Sequence, residues 1–268
     1  MHPAIALGRP LVFAHRGGSA LAPENSIPAF DRGLAEGADG LELDVHLSRD
    51  GIVVVHHDRC LDRTTGAPGP IALRTAAELA ALDVTKGFGR TGEHAGVPTL
   101  REVLRRYPVV PLIVDLKDES LALVRAAIDE IRDADAIGRV CLGSFGWRAL
   151  RAARAYEPRI PTGAARADVR MALCCAWVNL PALRPAYRAF QVPEARGRTR
   201  IVSPHFVKLA HRAGLAVQVW TVDRAEDIRR LLEWGVDGII SDRPDVAVAV
   251  VREWESQRAR PRLAGLEI

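Results

Sequence analysis

Apolar and polar positions follow two periods in turn along the chain. Short runs rich in Val, Ile and Leu alternate with stretches in which apolar residues recur every three or four positions. That order predicts βα units around a parallel sheet. Strands are expected near 11–15, 39–46, 109–116, 139–145, 160–163, 186–191, 216–221 and 238–241, eight principal strands in all. Residues 52–57 should pair back on the second strand through the tight turn at Asp50-Gly51. Helices are expected from Ser26 towards Glu36, from Thr99 to Arg106, and near 76–82, 120–133, 147–156, 168–176, 204–213, 224–234 and 244–255. Ser26, followed by Pro28 in the first turn, and Thr99 have the side chains of N-caps. Residues 59–98, rich in Gly, Thr and Pro, are expected as a loop or small insertion over the barrel mouth. Residues 257–268 show no pattern and should be loosely held. No linker or repeat divides the chain, so 1–268 is expected to be one domain.

The most informative stretch is Leu41-Glu42-Leu43-Asp44-Val45-His46. Side chains alternate along a strand, so Glu42, Asp44 and His46 share one face and Leu41, Leu43 and Val45 the other. Two carboxylates at i and i+2 are costly to bury together without a counter-charge. A solvated edge strand has the same alternation, but the neighbouring runs lower its weight. Leu11-Val12-Phe13-Ala14 ends in His15-Arg16-Gly17-Gly18, and Ile52-Val53-Val54-Val55 ends in His56-His57-Asp58. Apolar strands that stop abruptly at ionisable groups mark the catalytic end of a parallel barrel.

The run Ile113-Val114-Asp115-Leu116-Lys117 repeats the logic, so Asp115 should point the same way as Glu42 and Asp44. Three converging carboxylates form an all-oxygen site for one hard divalent cation, Mg²⁺ or Ca²⁺. The alternative is a carboxylate–lysine ion pair without metal. Histidines at strand tips suit acid–base work. Alternation groups His57 with Val53 and Val55, and His56 with Ile52 and Val54, and does not say which set faces the site. The planar fork of Arg16 suits bidentate phosphate contact, and Lys117 adds a point charge. With no obvious Ser or Cys nucleophile, the set favours phosphoryl over acyl chemistry.

Composition narrows the partners. A chain of 268 residues, 48% hydrophobic, suits one α/β barrel. The formal charge of +4 fits a small anionic substrate. The arginines are dispersed and no aromatics interleave them, which argues against nucleic acid. Cys60, Cys141, Cys174 and Cys175 lack metal-type spacing and are expected as reduced thiols. No apolar stretch reaches ~18 residues, and the first residues lack an export pattern. A soluble cytoplasmic protein without stable membrane insertion is expected. His205 and His211 read as packing or surface residues, Trp147, Trp177 and Trp234 as core residues on helix faces, and Asp242 as a cap of the last helix.

The blocks His15-Arg16-Gly17, Pro23-Glu24-Asn25, Glu42-Leu43-Asp44-Val45, His57-Asp58 and Leu61-Asp62-Arg63-Thr64-Thr65 together resemble the glycerophosphodiester phosphodiesterases. Later matches include Val97-Pro98-Thr99-Leu100, Ser144-Phe145, Val219-Trp220-Thr221-Val222 and Gly238-Ile239-Ile240-Ser241-Asp242-Arg243-Pro244. The resemblance implies a TIM (β/α)8 barrel with a small insertion after the second strand. It implies one divalent cation held by Glu42, Asp44 and Asp115, and His15 and His57 as the acid–base pair. Arg16 and Lys117 would contact the phosphate, and Trp220 would line the glycerol side. His57 is preferred to His56 because the family motif places histidine immediately before aspartate. The third metal ligand is usually glutamate in the family, so Asp115 is one methylene shorter. The implied reaction is metal-dependent hydrolysis of a diester such as glycerophosphocholine or glycerophosphoethanolamine to sn-glycerol 3-phosphate and an alcohol. The nucleophile would be water or the substrate's own 2-hydroxyl. One alternative is a lysophospholipase D-like or sphingomyelinase D-like lipid phosphodiesterase, which needs an apolar rim from Phe88, Phe145, Phe206 and Trp220. The other is a non-catalytic phosphodiester-binding protein, which has no need of two histidines.

Overall fold

The computed structural model describes residues 2–5, 9–89, 94–180 and 185–259. Its strands are β1 (Leu11–His15), β2 (Gly40–Leu47), β3 (Val53–Val55), β4 (Leu112–Leu116), β5 (Val140–Gly143), β6 (Ala189–Pro193), β7 (Ala195–Arg196), β8 (Thr199–Arg200), β9 (Ala216–Trp220) and β10 (Gly238–Ser241). Helices α1 (Ile27–Ala35), α2 (Asp62–Thr65), α3 (Ala76–Ala80), α4 (Leu100–Arg106), α5 (Leu121–Asp133), α6 (Trp147–Tyr156), α7 (Arg166–Trp177), α8 (Pro204–Arg212), α9 (Ala225–Glu233) and α10 (Pro244–Ala259) alternate with them. The staves run in the order β5-β4-β2-β1-β10-β9-β6, each parallel to its neighbour. Thr162 bridges to Leu142 of β5 and Gly163 to Ala189 of β6, which closes the ring. The result is a TIM barrel with eight staves, one of them reduced to single bridges. That stave is thin because Pro161 has no N–H and offers only its carbonyl, which accepts from Leu142 N at 3.0 Å.

Strand alternation sorts the core into two shells. Val12, Leu41, Leu43, Val45 and Val114 face outward to the helices. Leu11, Phe13, Ile113, Cys141 and Ile240 face inward and fill the lower half of the barrel. Phe13 fits there because residue 40 is glycine: a Cβ on Gly40 would come within 2.6 Å of the Phe13 ring and of Pro111 O. The apolar plug leaves the upper inner positions, near the C-terminal ends of the staves, to polar groups.

β3 pairs antiparallel with β2, as the Asp50-Gly51 turn predicts, with Val45 opposite Val55. The following segment packs a cluster of its own from Val54, Leu61, Ile71, Leu79, Val84, Ala95 and Val97. β4 starts at Leu112 instead of 109, because Val109 is exposed and Pro111 cannot donate to a ladder. β6 lies later than expected, and the short hairpin β7–β8, turning at Gly197 with φ +57°, was not foreseen. Trp147 and Trp177 are exposed, the latter at 93%, contrary to their expected place in the core; Trp234 is half-buried against it. α7 buries its small residues, Val169 and Ala172, and turns Trp177 outward. α10 runs on through Ala259, and expectations for 260–268 fall outside the described residues.

Candidate active site

Register brings the polar tips together. His15 lies beside Glu42 across β1 and β2, and Asp44 is level with Asp115 across β2 and β4. His15, Arg16, Glu42, Asp44, His57, Asp115, Lys117 and Trp220 all line one cavity of about 640 Å³ at the C-terminal ends of the staves. Two residues in the left-handed region, Arg16 (φ 52°) and Asn25 (φ 55°), shape its edge. Such backbone costs on the order of 1 kcal/mol or more per residue and clusters at functional sites. Here it aims Arg16 N at Glu42 Oε2, 3.1 Å away, and Asn25 Nδ2 at Asp44 Oδ2, 2.8 Å away.

Charge in this cavity is unbalanced. Lys117 Nζ bridges Asp44 Oδ1 at 2.6 Å and Asp115 Oδ2 at 2.7 Å, and Arg16 Nε is 3.4 Å from Asp44 Oδ2. Burial alone would raise the pKa of Asp44, but Lys117 and Arg16 outweigh it and hold the carboxyl at about 2. Burial, then the charge of Asp44, push Glu42 up to about 7. Burial also raises Asp115, with Lys117 opposing. Lys117 stays firmly charged, because Asp115, Asp44 and Glu42 together overcome its own desolvation. Three carboxylates face two fixed cations, and the surplus negative charge is what a divalent ion would neutralise. The donor set therefore fits a hard cation in kind and in charge. Among the described residues, no three Asp, Glu, His or Cys side chains close around a single point; Lys117 lies between Asp44 and Asp115.

Both histidines carry the same device. His15 Nδ1 lies 2.6 Å from Asp242 Oδ1, and His57 Nδ1 lies 2.6 Å from Asp58 Oδ1. Both aspartates are held below the usual carboxylate range, as their partners outweigh burial. An ionised carboxylate accepts, so each Nδ1 keeps its proton and each Nε2 remains for chemistry. Burial lowers the His15 pKa, but Glu42 and Asp242 raise it further, and the net shift is upward. His15 Nε2 is 3.8 Å from Glu42 Oε2.

Asp242 does not cap α10, as the sequence suggested. It accepts from His15 and from the Ser19 hydroxyl, and its own N–H donates to Asp223 at 2.8 Å. Asp58 is held by Arg63 Nε at 2.6 Å. Arg63 reaches Glu24 at 2.6 and 2.7 Å, and Glu24 accepts from Arg16 at 2.9 Å. This chain of alternating charges joins the two sides of the site, and sequence reasoning missed it; the only signal was the presence of Glu24 and Arg63 within the family-like blocks. His56 points away: its Nδ1 meets Asp58 O at 2.8 Å and its Nε2 meets Thr64 Oγ1 at 2.7 Å. His46 Nε2 meets the carbonyl of His57 at 3.1 Å.

Trp220 and Phe145 form the aromatic wall, with ring centroids 6.0 Å apart. Phe206 is buried against Phe190 instead, and Phe88 does not line the cavity, so half of the expected apolar rim is missing. His211 pairs with Asp237 at 2.8 Å and His205 meets Ala176 O at 3.1 Å, both structural contacts. All four cysteines are unpaired. Among the described residues no helix is long and apolar enough to cross a membrane.

Both the sequence and the fold are similar to those of known proteins. Residues 15–246 match the glycerophosphoryl diester phosphodiesterase family. The chain is 33% identical to a glycerophosphodiester phosphodiesterase of Caldanaerobacter subterraneus, over 91% of this chain and 98% of that one. A putative glycerophosphoryl diester phosphodiesterase of Silicibacter pomeroyi superposes with a TM-score of 0.79 at 26% identity, covering 95% of this chain and 97% of that one. A phosphodiesterase of Oleispira antarctica, solved in complex with the product sn-glycerol-3-phosphate, superposes with a TM-score of 0.75 at 27% identity, covering 91% and 97%.

Proposed function

Because the chain belongs to the glycerophosphoryl diester phosphodiesterase family, we propose that it cleaves small glycerophosphodiesters, such as glycerophosphocholine and glycerophosphoethanolamine, to sn-glycerol 3-phosphate and an alcohol, using His15 and His57 as the acid–base pair. The observation that carries this reading is the duplication of the histidine–aspartate pair, at 2.6 Å in each case, beside one cavity whose upper layer holds three carboxylates. One imidazole Nε2 takes the proton of the attacking hydroxyl, and the other gives a proton to the departing alkoxide. Asp242 and Asp58 fix the tautomers and stabilise each imidazolium as it forms. Each positioned group contributes ~10²–10⁴ in rate. Glu42, Asp44 and Asp115 would hold one divalent cation, Mg²⁺ or Ca²⁺. When bound, such an ion neutralises charge on the phosphoryl oxygens and acidifies the attacking hydroxyl. Arg16 and Lys117 add fixed positive charge for the phosphate, and Trp220 covers the apolar side of the glycerol. Unpaired cysteines and a small polar substrate suit a cytoplasmic enzyme.

The test is release of sn-glycerol 3-phosphate from the two diesters, with and without a chelator and with Mg²⁺ or Ca²⁺ added back. Loss on chelation and recovery on addition are expected. In parallel, titration calorimetry of Asp115→Asn should show ion binding weakened about tenfold or more, the scale on which altered metal surroundings act. Turnover indifferent to chelator would remove the cation from the reading, and no release from any glycerophosphodiester would remove the substrate.

A further inference from the structure

A second cavity, of about 1330 Å³, shares the wall formed by Phe145, Ala164, Gln191 and Trp220 with the first. Its floor is apolar, from Val169, Leu173, Val192 and Ile201, and its rim carries Arg166, Arg170 and Arg196. Arg166 and Arg170 are one turn apart on α7, and Arg196 comes from the β7–β8 hairpin facing them. Arg166 lies over the Phe145 ring at 3.9 Å, which carries its charge to the edge of the first cavity.

Acidic side chains adjacent to these arginines in the chain are committed elsewhere. Asp168 accepts from Ala165 N at 2.9 Å, and Glu194 pairs with Arg200 at 3.3 Å and Arg230 at 2.7 Å. Among the described residues, no carboxylate pairs with Arg166, Arg170 or Arg196. Three like charges gathered at one opening repel one another, and an anion there relieves the repulsion. The α7 N-terminus, at Arg166, adds partial positive charge of the same sign.

Resting on the phosphodiesterase reading above, we propose that this second cavity binds a second phosphate of the substrate, so that diesters carrying two phosphates are preferred to those carrying one. With the scissile phosphodiester in the first cavity, the substrate passes the Phe145–Trp220 pair, lays its carbon skeleton on the apolar floor and presents its second phosphate to the arginine forks. Guanidinium geometry matches a phosphate bidentately. A fatty chain would use the floor but gain nothing from the three arginines.

The experiment compares kcat/KM for 1,3-bis(sn-glycero-3-phospho)glycerol and sn-glycero-3-phosphoglycerol, which differ by one glycerophosphoryl unit. At low ionic strength the wild-type ratio should be about thirtyfold, from roughly threefold for each of three exposed arginine–phosphate contacts. In the double variant Arg170→Gln, Arg196→Gln, which keeps Arg166, the ratio should fall to about three, and in 0.5 M NaCl the wild-type ratio should shrink likewise. A wild-type ratio near one, or a ratio that the variant leaves unchanged, overturns the proposal. If neither compound yields sn-glycerol 3-phosphate, the phosphodiesterase reading falls, and calorimetric Kd values for the same two compounds decide the cavity. Tighter, arginine-dependent binding of the bis-phosphate compound sustains it, and equal affinities refute it.

Discussion

Replacing Asp242 by asparagine isolates what a carboxylate does for His15. The side chain lies 2.6 Å from His15 Nδ1. Its loop should stay in place in the variant, because Asp242 N and Ser241 Oγ are both anchored by Asp223 Oδ1, at 2.8 and 2.9 Å. Asparagine keeps an acceptor but not the charge. A hydrogen bond to a charged group is worth about 1.5–3 kcal/mol and a neutral one about 0.5–1.5. The imidazolium thus loses roughly 1–2 kcal/mol of support, or about 5- to 30-fold in kcat at 1.36 kcal/mol per factor of ten. KM should stay within about twofold, since Asp242 is a positioning residue outside the cavity lining. Because Glu42 and Asp242 raise the His15 pKa against burial, removing one of them must move the His15 limb of the pH–rate profile to lower pH. Stability has its own signature. The raised histidine contributes below its ordinary 6.5 and loses that contribution as pH climbs through the folded value. The lowered aspartate contributes above its ordinary 3.8 and loses that contribution as pH falls through its folded value. Urea unfolding of wild type and variant should therefore differ most between these two ordinary values, with the gap narrowing on either side. A variant with wild-type kcat and an unmoved limb would refute the role given to Asp242.

The adjacent histidines should separate cleanly. His57→Ala is expected to lower kcat by ~10²–10⁴ with little change in urea midpoint. His56→Ala, which strands the buried Thr64 hydroxyl, should cost about 1–3 kcal/mol of stability; equal losses of activity and stability in both would sink the assignment. Gly33→Ala tests the packing that carries His15 and Arg16. Alanine in an open helix gains about 1 kcal/mol over glycine, but here the new Cβ would lie 2.6 Å from both Ala14 Cβ and Gly17 O. The overpacking cost of about 1–3 kcal/mol should win, and a midpoint that rises would show that α1 can simply move away.

What the chain reveals by itself is parity. Alternation placed Glu42, Asp44 and Asp115 on inward faces, and the structure puts Asp44 level with Asp115 across one pair of staves. Parity also sent Leu41, Leu43 and Val45 to the helices, where they are. It gave no answer for His56 against His57, because the backbone leaves strand geometry after Val55, and the family-like His57-Asp58 pair was needed there. Amphipathic spacing misjudged Trp147 and Trp177, the first residue of α6 and the last of α7: Ala149, Leu150 and Ala153 fill the inner stripe of the one, Val169 and Ala172 that of the other, and both indoles are left outside.

Partnerships across staves were the part beyond reach, and they govern the electrostatics of the site. His15 and Asp242 are 227 positions apart, yet β1 and β10 lie side by side once the barrel closes. Glu24 and Arg63 are 39 apart and meet because the segment after β3 folds back beside the loop before α1. Neither pairing has a period, a spacing or a composition to betray it; each follows only from which stave neighbours which. The consequence is asymmetric. Asp242, at the β10 tip, is anchored through Asp223 and Ser19 to the loops after β9 and β1, whereas Asp58 depends on Arg63, half-exposed on the segment after β3. The His15 side is therefore tied to the closed ring of staves, and the His57 side to a segment with a small apolar cluster of its own. Hydrogen exchange should find the amides of β1 and β10 protected far longer than those of α2, which carries Arg63, and equal protection would show that the segment and the barrel open as one unit.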